Sequence, residues 1–203
     1  MCVDFANTIY TLGDPAGALR GFPDLVAFLE AAGAADRAEA RRLRVLTRES
    51  PRRSAAALVQ ALALRQAIRD LLVALETGAP LRREWIEVVN RVLRGDASYA
   101  QLVPGQRGWT LGRATERADL LAALVPVARS AAELIQEGPG APVRKCGNPK
   151  CVLYFYDASR TGRRRWCSMA MCGNRMKVAA HARRWRAARR SVGQSRGGLR
   201  TTG

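Results

Sequence analysis

The last third of this chain contains almost no acid. Between Pro142 and Gly203 a single carboxylate, Asp157, stands against 16 Lys and Arg, whereas residues 1–141 balance 18 basic with 16 acidic side chains. Lysine is scarce as well: only three of the 34 basic residues are Lys. An arginine bias of that kind accompanies GC-rich coding, but it acts on a whole chain and cannot place a net +15 in its last 62 residues. Histidine occurs once, at His181, and no nucleophile has a base at motif spacing, which makes an enzyme the least favoured class. Long apolar runs are missing too. The longest, "LLAALVPVA" from Leu120 to Ala128, is about half the ~18 residues a membrane span needs, so no membrane partner is expected. The opening "MCVDFANT" has neither a basic region nor a long apolar core, so no secretion signal is expected and a cytoplasmic location follows. Composition is otherwise that of a globular protein, 48% hydrophobic.

Helical punctuation runs through the first 138 residues. "FPDLVAFLEAAG" (Phe22–Gly33) opens on Pro and Asp and stops at Gly; Asp36 is placed to cap "RAEARRLRVLT". "TRESPRRS" (Thr47–Ser54) reads as a polar break. A long helix then begins at Ser54, with Leu58, Leu62, Leu72 and Leu75 tracing an apolar stripe and Gly78 as its stop. Further helices are expected over Leu81–Gly95 and Thr115–Gly138, the second kinked at Pro126. Gly108–Gly112 is expected to be a short extended piece. The predicted organisation is an all-helical domain over 1–138, a Gly/Pro linker over 139–143, a small metal-organised module over 144–190, and a disordered tail over 191–203.

Cysteine is the exception in the basic region. Cys146, Cys151, Cys167 and Cys172 have the spacing C-x4-C-x15-C-x4-C, and Cys2 stands apart as a small apolar residue. Two close pairs separated by a hairpin's length is how a chain surrounds one tetrahedral ion, and four thiolates in a reducing compartment favour Zn(2+). Two disulfides are the alternative. A four-thiolate site is closed, without an open position for water, so it builds structure in a segment too small to fold on its own apolar core. Between the pairs, Val152–Tyr156 favours a strand, Asp157–Gly162 a turn, and Arg163–Trp166 a return strand; a helix begins at Ser168. Knuckle, hairpin and ligand-bearing helix make a treble-clef-like finger.

"CGNPKCVLYFYDASRTGRRRWCSMAMCGNR" resembles the CGNR zinc finger, whose tetrapeptide stands here as Cys172-Gly173-Asn174-Arg175. The opening "CVDFANTIYTL…FPDLVAFLEAAG", with "ALRQAIRDLL" and "ARSAAELI", is similar to the ABATE domain that precedes that finger in its family. The resemblance implies a bacterial, stress-linked transcription regulator with a DNA-binding finger.

A polyanion suits the charge; a solvated basic tail without a partner is the bland alternative. Candidate DNA contacts are Arg160, Arg163, Arg164 and Arg165 around the turn, then Arg175, Lys177, His181, Arg183 and Arg184 on the last helix. Duplex DNA is favoured over RNA, since few aromatics are free of core duty; an acidic protein partner is the other rival. Asp157 is expected either to pair with Arg175 or to leave it to phosphate, Asn174 to brace the knuckle, and Trp185 to anchor the helix on the hairpin. For the helical half, a small-molecule effector site, a homodimer interface and a plain scaffold compete. Asp4, Asn7, Arg65 and Arg69 are the candidate ligand-pocket residues, with helix capping and solvated arginines as the alternative.

Overall fold

A computed structural model of the chain describes residues 1–9, 19–96, 98–105, 108–115 and 120–197. Seven helices dominate it: α1 (Cys2–Ala6), α2 (Phe22–Ala31), α3 (Arg37–Glu49), α4 (Pro51–Thr77), α5 (Arg83–Leu93), α6 (Val125–Glu137) and α7 (Asn174–Gly197). Two small antiparallel hairpins complete it, β1 (Ser98–Gly105) with β2 (Gly108–Thr115) and β3 (Val143–Lys145) with β4 (Tyr154–Tyr156). None of the described helices is long and apolar enough to cross a membrane.

The helix ends follow local chemistry. The Asp24 carboxylate accepts from the amides of Arg20 and Gly21, 2.8 and 3.0 Å away, ahead of α2. Asp36 accepts from the Glu39 amide at 2.7 Å and caps α3 as expected. Gly78 stops α4 at φ 72°, a left-handed conformation that a β-carbon disfavours. The expected polar break shrinks to one residue, Ser50: Pro51 sits in the first turn of α4, where its missing N–H costs nothing, so the helix starts three residues before Ser54. Pro126 likewise stands in the first turn of α6. It begins that helix rather than kinking one that started at Thr115; residues 116–119 lie outside the described residues.

α4 is the axis of the core. Ala57, Ala61, Leu64, Ile68, Leu71, Leu72 and Leu75 are buried along it, against Phe5 of α1, Leu25 and Leu29 of α2, Leu43 of α3, Val89 of α5 and Leu124 ahead of α6. The domain is not all-helical as expected. β1 and β2 pair in register from Ser98↔Thr115 to Gly105↔Gly108, turning the expected scrap at Gly108–Gly112 into a full hairpin.

The expected linker is not a free spacer. Residues 138–140 form one 3-10 turn, and Ala141, Val143 and Tyr154 are buried in the same apolar cluster as the helices. The β3–β4 hairpin is thereby set into the helical domain. Asn7 extends it from the side: its Nδ2 donates to the Tyr154 carbonyl at 2.8 Å and its Oδ1 accepts from the Tyr154 amide at 3.0 Å. One side chain thus satisfies both free edge groups of a buried strand residue. The Lys145 amide donates to Glu76 at 3.1 Å and the Tyr156 hydroxyl to Glu137 at 2.9 Å. At the other end, α7 continues to Gly197, past the Arg190 boundary where a structureless tail was expected. The run has no proline to break it, and the helix continues through Gly193. Residues 198–203 lie outside the described residues.

Replacing Asn7 by Leu removes two hydrogen bonds and strands the Tyr154 amide and carbonyl, a loss of roughly 1–3 kcal/mol. Hydrogen exchange will show Tyr154 deprotected in N7L, with faster proteolysis around residues 138–142, while α4 amides keep their protection.

Candidate metal centre and basic surface

The Sγ atoms of Cys146, Cys151, Cys167 and Cys172 all lie within 4.8 Å of one another. Cys151 and Cys167 are 3.8 Å apart, Cys167 and Cys172 3.7 Å. With zinc–sulfur bonds of about 2.3 Å, the edge of a regular tetrahedron is ~3.8 Å, so the donor set fits one Zn(2+). The sulfurs are much farther apart than the ~2.05 Å of a disulfide, and no cysteine is paired covalently. The four cysteines bind zinc.

Short-range geometry puts them there. The β3–β4 hairpin carries the first pair at its tip, and the Cys146 amide closes on the Leu153 carbonyl at 2.9 Å. Within the tip, the Asn148 side chain accepts from the Lys150 amide at 3.1 Å, and its carbonyl accepts from the Cys151 amide at 2.8 Å. That Asx-type turn brings the two sulfurs to one side. Ser168 starts the second half: its hydroxyl accepts from the Met171 amide at 3.4 Å, and one turn of π-helix over Met169–Gly173 points Cys172 inward before α7 begins. The return strand expected at Arg163–Trp166 does not form, because β4 pairs with β3, ahead of Cys146. Residues 163–166 lie over the knuckle instead, with the Arg165 carbonyl accepting from the Gly147 amide at 2.8 Å.

Trp166 is wedged between two glycines. A β-carbon at Gly147 would stand 3.2 Å from its ring; one at Gly173 would stand 3.1 Å from it and 2.6 Å from the Met169 sulfur. The glycine of the CGNR tetrapeptide is there to admit this indole. Asn174, of the same tetrapeptide, makes no side-chain hydrogen bond among the described residues; the bracing asparagine is Asn148, buried, whose Nδ2 donates to Cys172 Sγ at 3.3 Å. Sequence reasoning passed over it, although Asn148-Pro149 is a turn signal between two ligands. Trp185 is 56% exposed; the tryptophan packed against the cysteine cluster is Trp166.

The electrostatics explain why the metal is needed. Burial works against ionisation of Cys146, but hydrogen bonds from the Cys167 and Asn148 amides outweigh it and lower its pKa. Burial pushes Cys151 up to about 11, and Cys146 as a neighbouring thiolate pushes the same way. Cys167 is raised as well, by burial first, then by its hydrogen bonds with Cys172 and Cys146 and the charge of neighbouring thiolates. Without a cation, Cys146 ionises more readily than an ordinary thiol, while Cys151 and Cys167 resist.

Asp157 and Arg164 complete the frame. Asp157 is buried, and its carboxylate accepts from the Ser159 hydroxyl at 2.5 Å, the Ser159 amide at 3.1 Å and the Arg164 amide at 3.0 Å. These bonds, those from Ser159 first, hold its pKa below the ordinary carboxylate value. Its ion pair is with Arg144, 3.6 Å away, and not with Arg175. Arg164, a candidate DNA contact, turns back onto the knuckle. Its Nε donates to the Trp166 carbonyl at 2.9 Å, its Nη2 donates to the Cys167 carbonyl, and the guanidinium lies 4.7 Å from the Phe155 ring. Arg165 stacks on Trp166 at 5.1 Å. By contrast Arg160, Arg163, Arg175, Lys177, His181, Arg183 and Arg184 are all exposed and form no ion pair among the described residues. Lys177, His181 and Arg184 fall at i, i+4 and i+7 on α7, one stripe of the helix.

The four candidate pocket residues separate. Arg65 and Arg69 donate to the carbonyls of Thr8 and Ala6, at 3.1 and 3.2 Å, and so cap the C-terminal end of α1; Arg69 also lies 5.9 Å from the Tyr154 ring. Burial, then the charge of Arg69, lowers the pKa of Arg65. Asp4 and Asn7 do line a cleft, of about 510 Å³, between α1, α6 and the finger; Glu133, Arg164 and Met171 share it. Cys2 is buried beside it, its Sγ 3.4 Å from the Ser130 carbonyl.

Zinc requires thiolates, so every ligand that is protonated when free gives up its proton on binding. Cys151 and Cys167 both titrate well above neutrality, so calorimetry at neutral pH in buffers of different ionisation enthalpy will find at least two protons released per zinc. Apparent affinity will rise with pH. In D157A, three donors lose their acceptor. The finger weakens by roughly 1–3 kcal/mol, read as faster loss of zinc to a competing chelator.

Comparison with known families agrees with this geometry. The model of the CGNR zinc finger matches residues 143–185. The model of ABATE, described as "Putative stress-induced transcription regulator", matches residues 1–138. No curated protein matches the chain. A hairpin that presents two cysteines, a third at Cys167 and a fourth on the π-turn ahead of α7, and a helical domain matched over more than half the chain lead to one assignment: this chain belongs to the ABATE family and carries a CGNR zinc finger.

Proposed function

We propose that the protein is a cytoplasmic transcription regulator that binds duplex DNA through its zinc finger. One observation carries the reading. The finger's only acid, Asp157, is buried and already engaged with Arg144, so nothing in the module neutralises the exposed guanidinium groups of Arg160, Arg163, Arg175, Arg183 and Arg184. Four zinc-bound thiolates contribute a local −2, which leaves the region from Pro142 onward near +13. α7 has 24 residues, roughly 36 Å at 1.5 Å per residue. Among the described residues its close packing is against the π-turn that precedes it. A basic rod of that length spans about one turn of B-DNA, where each phosphate it meets releases counterions. Lys177, His181 and Arg184 form the stripe that meets the duplex, with Arg160 and Arg163 on flanking phosphates. Arg164 acts through the knuckle and holds the platform rigid.

The helical domain serves as a sensor in this reading. A small molecule in the cleft beside Asp4 and Asn7 would touch α1 and α6 on one side and Arg164 and Met171 on the other. It would therefore bear on both the helical domain and the knuckle that orients α7.

A salt-titrated gel shift on duplex DNA tests the reading. K177E/R184E removes two phosphate contacts, so log affinity against log salt becomes shallower by roughly 2. R164Q loses zinc more easily but, while zinc-loaded, keeps the wild-type slope. Equal slopes in K177E/R184E and wild type, or tighter binding to an RNA duplex or single strand, would reject the proposal.

A further inference from the structure

Beside the stripe at Lys177, His181 and Arg184, α7 carries a narrow apolar ridge. Val178, Ala182 and Trp185 fall at i, i+4 and i+7, within about 60° of one another around the helix at ~100° per residue. The ridge faces outward. Val178 is 69% exposed and Trp185 56%, while the half-buried Met176 and Ala180 lie on the opposite side of the helix. Both flanks of the ridge are basic. To one side of Val178, His181, Lys177 and Arg184 follow at about 60–120°; to the other, Arg175, Arg186 and Arg183 follow at about 60–140°. All six are exposed, and the stretch from Arg175 to Arg186 contains no acid.

Resting on the DNA reading above, we propose that this ridge enters the major groove and reads thymine methyl groups, with one basic flank on the phosphates of each strand. The groove is ~12 Å wide and an α-helix with its side chains ~10–12 Å across, so a helix seated there has a backbone on either side and base edges beneath it. Charge on both flanks and none along the ridge matches that arrangement. His181, Lys177 and Arg184 meet one strand; Arg175, Arg183 and Arg186 meet the other. The chemistry of the ridge selects its target. The thymine C5-methyl is the apolar group in the groove's pattern of donors and acceptors, and Val178 and Trp185 present apolar carbon to it. Seven residues separate the two, a rise of ~10 Å, or roughly three base steps at ~3.4 Å each. Other polyanions fit less well. The major groove of an RNA helix is too deep and narrow for side chains to read, and uracil lacks the methyl. A helix lying in a lipid surface needs an apolar face of about 100° or more, wider than this ridge.

Selection from a random duplex pool by the zinc-loaded full chain tests the proposal, followed by competition between the enriched duplex and the same duplex with deoxyuridine in place of thymine. The enriched sites are expected to share thymines. Loss of a contacted methyl is expected to weaken the wild type about fourfold, the worth of one buried methyl-sized group. V178A exchanges an exposed residue for a stronger helix former, so zinc content, helicity and salt slope stay as in the wild type. It is expected to lose discrimination against deoxyuridine at one thymine, and W185A at a second, roughly three base steps away. K177E/R184E shows the converse, a shallower salt slope with discrimination retained. A pool that enriches no sequence, a wild type that binds the deoxyuridine duplex equally well, or a V178A variant that discriminates as the wild type does would overturn the base reading; a wild-type salt slope in the same assays leaves DNA binding itself standing. A chain that binds no duplex and is held on phosphatidylglycerol vesicles instead would overturn both.

Discussion

Four sulfurs within 4.8 Å of one another constitute the constraint on which the finger depends. As thiolates they repel, and burial and a charged neighbour together push Cys151 up to about 11. A divalent cation at their centre turns that repulsion into the strongest attraction in the module. The apolar cluster around the metal site is small, Leu153, Trp166 and the cysteines themselves, while Val143 and Tyr154 belong to the core of the helical domain. Hydrophobic burial alone does not order a segment of this size and charge. The hydrogen bonds that reach sulfur, from the Asn148 side chain and the Cys167 amide, orient the ligands once the ion is present.

Rigidity passes from the knuckle in two directions. Toward the C-terminus it passes through the π-turn at Met169–Gly173 into α7 and sets the direction of the basic rod. Toward the N-terminus it passes through β3 and β4 into the helical core, where Tyr154 is held by Asn7 and lies beside Arg69. Finger and helical domain therefore share side chains as well as a covalent link. The cleft beside Asn7 lies on this seam, which is where binding in one half could be felt in the other.

Much of this was legible in the chain. Asp36 and Gly78 cap helices because a carboxylate and a missing β-carbon do the same thing wherever they occur. The cysteine spacing specified the metal, and the charge jump near Pro142 marked the basic region. What stayed hidden depends on pairing at a distance. Asn7 read as an N-cap or a pocket residue because nothing nearby in sequence points to a strand 147 residues away. Arg164 looked like its neighbours Arg163 and Arg165, and only the folded knuckle shows that it turns inward to the Trp166 and Cys167 carbonyls. β3 was missed because three residues carry too little pattern. The β1–β2 hairpin was seen only at Gly108–Gly112, since Pro104 and its glycines read as loop and its strands exist through each other.

The charge has meaning only on an ordered scaffold. The account therefore stands or falls on the ion, and the most direct measurement is zinc K-edge absorption on reduced full-length protein, paired with hydrogen exchange before and after chelation. The account predicts one zinc per chain with four sulfur neighbours at about 2.3 Å. On chelation, amide protection should vanish from β4 to the start of α7 while α2–α4 keep theirs. A chain with no stoichiometric zinc, or a finger whose amides stay protected in the chelator, would contradict it.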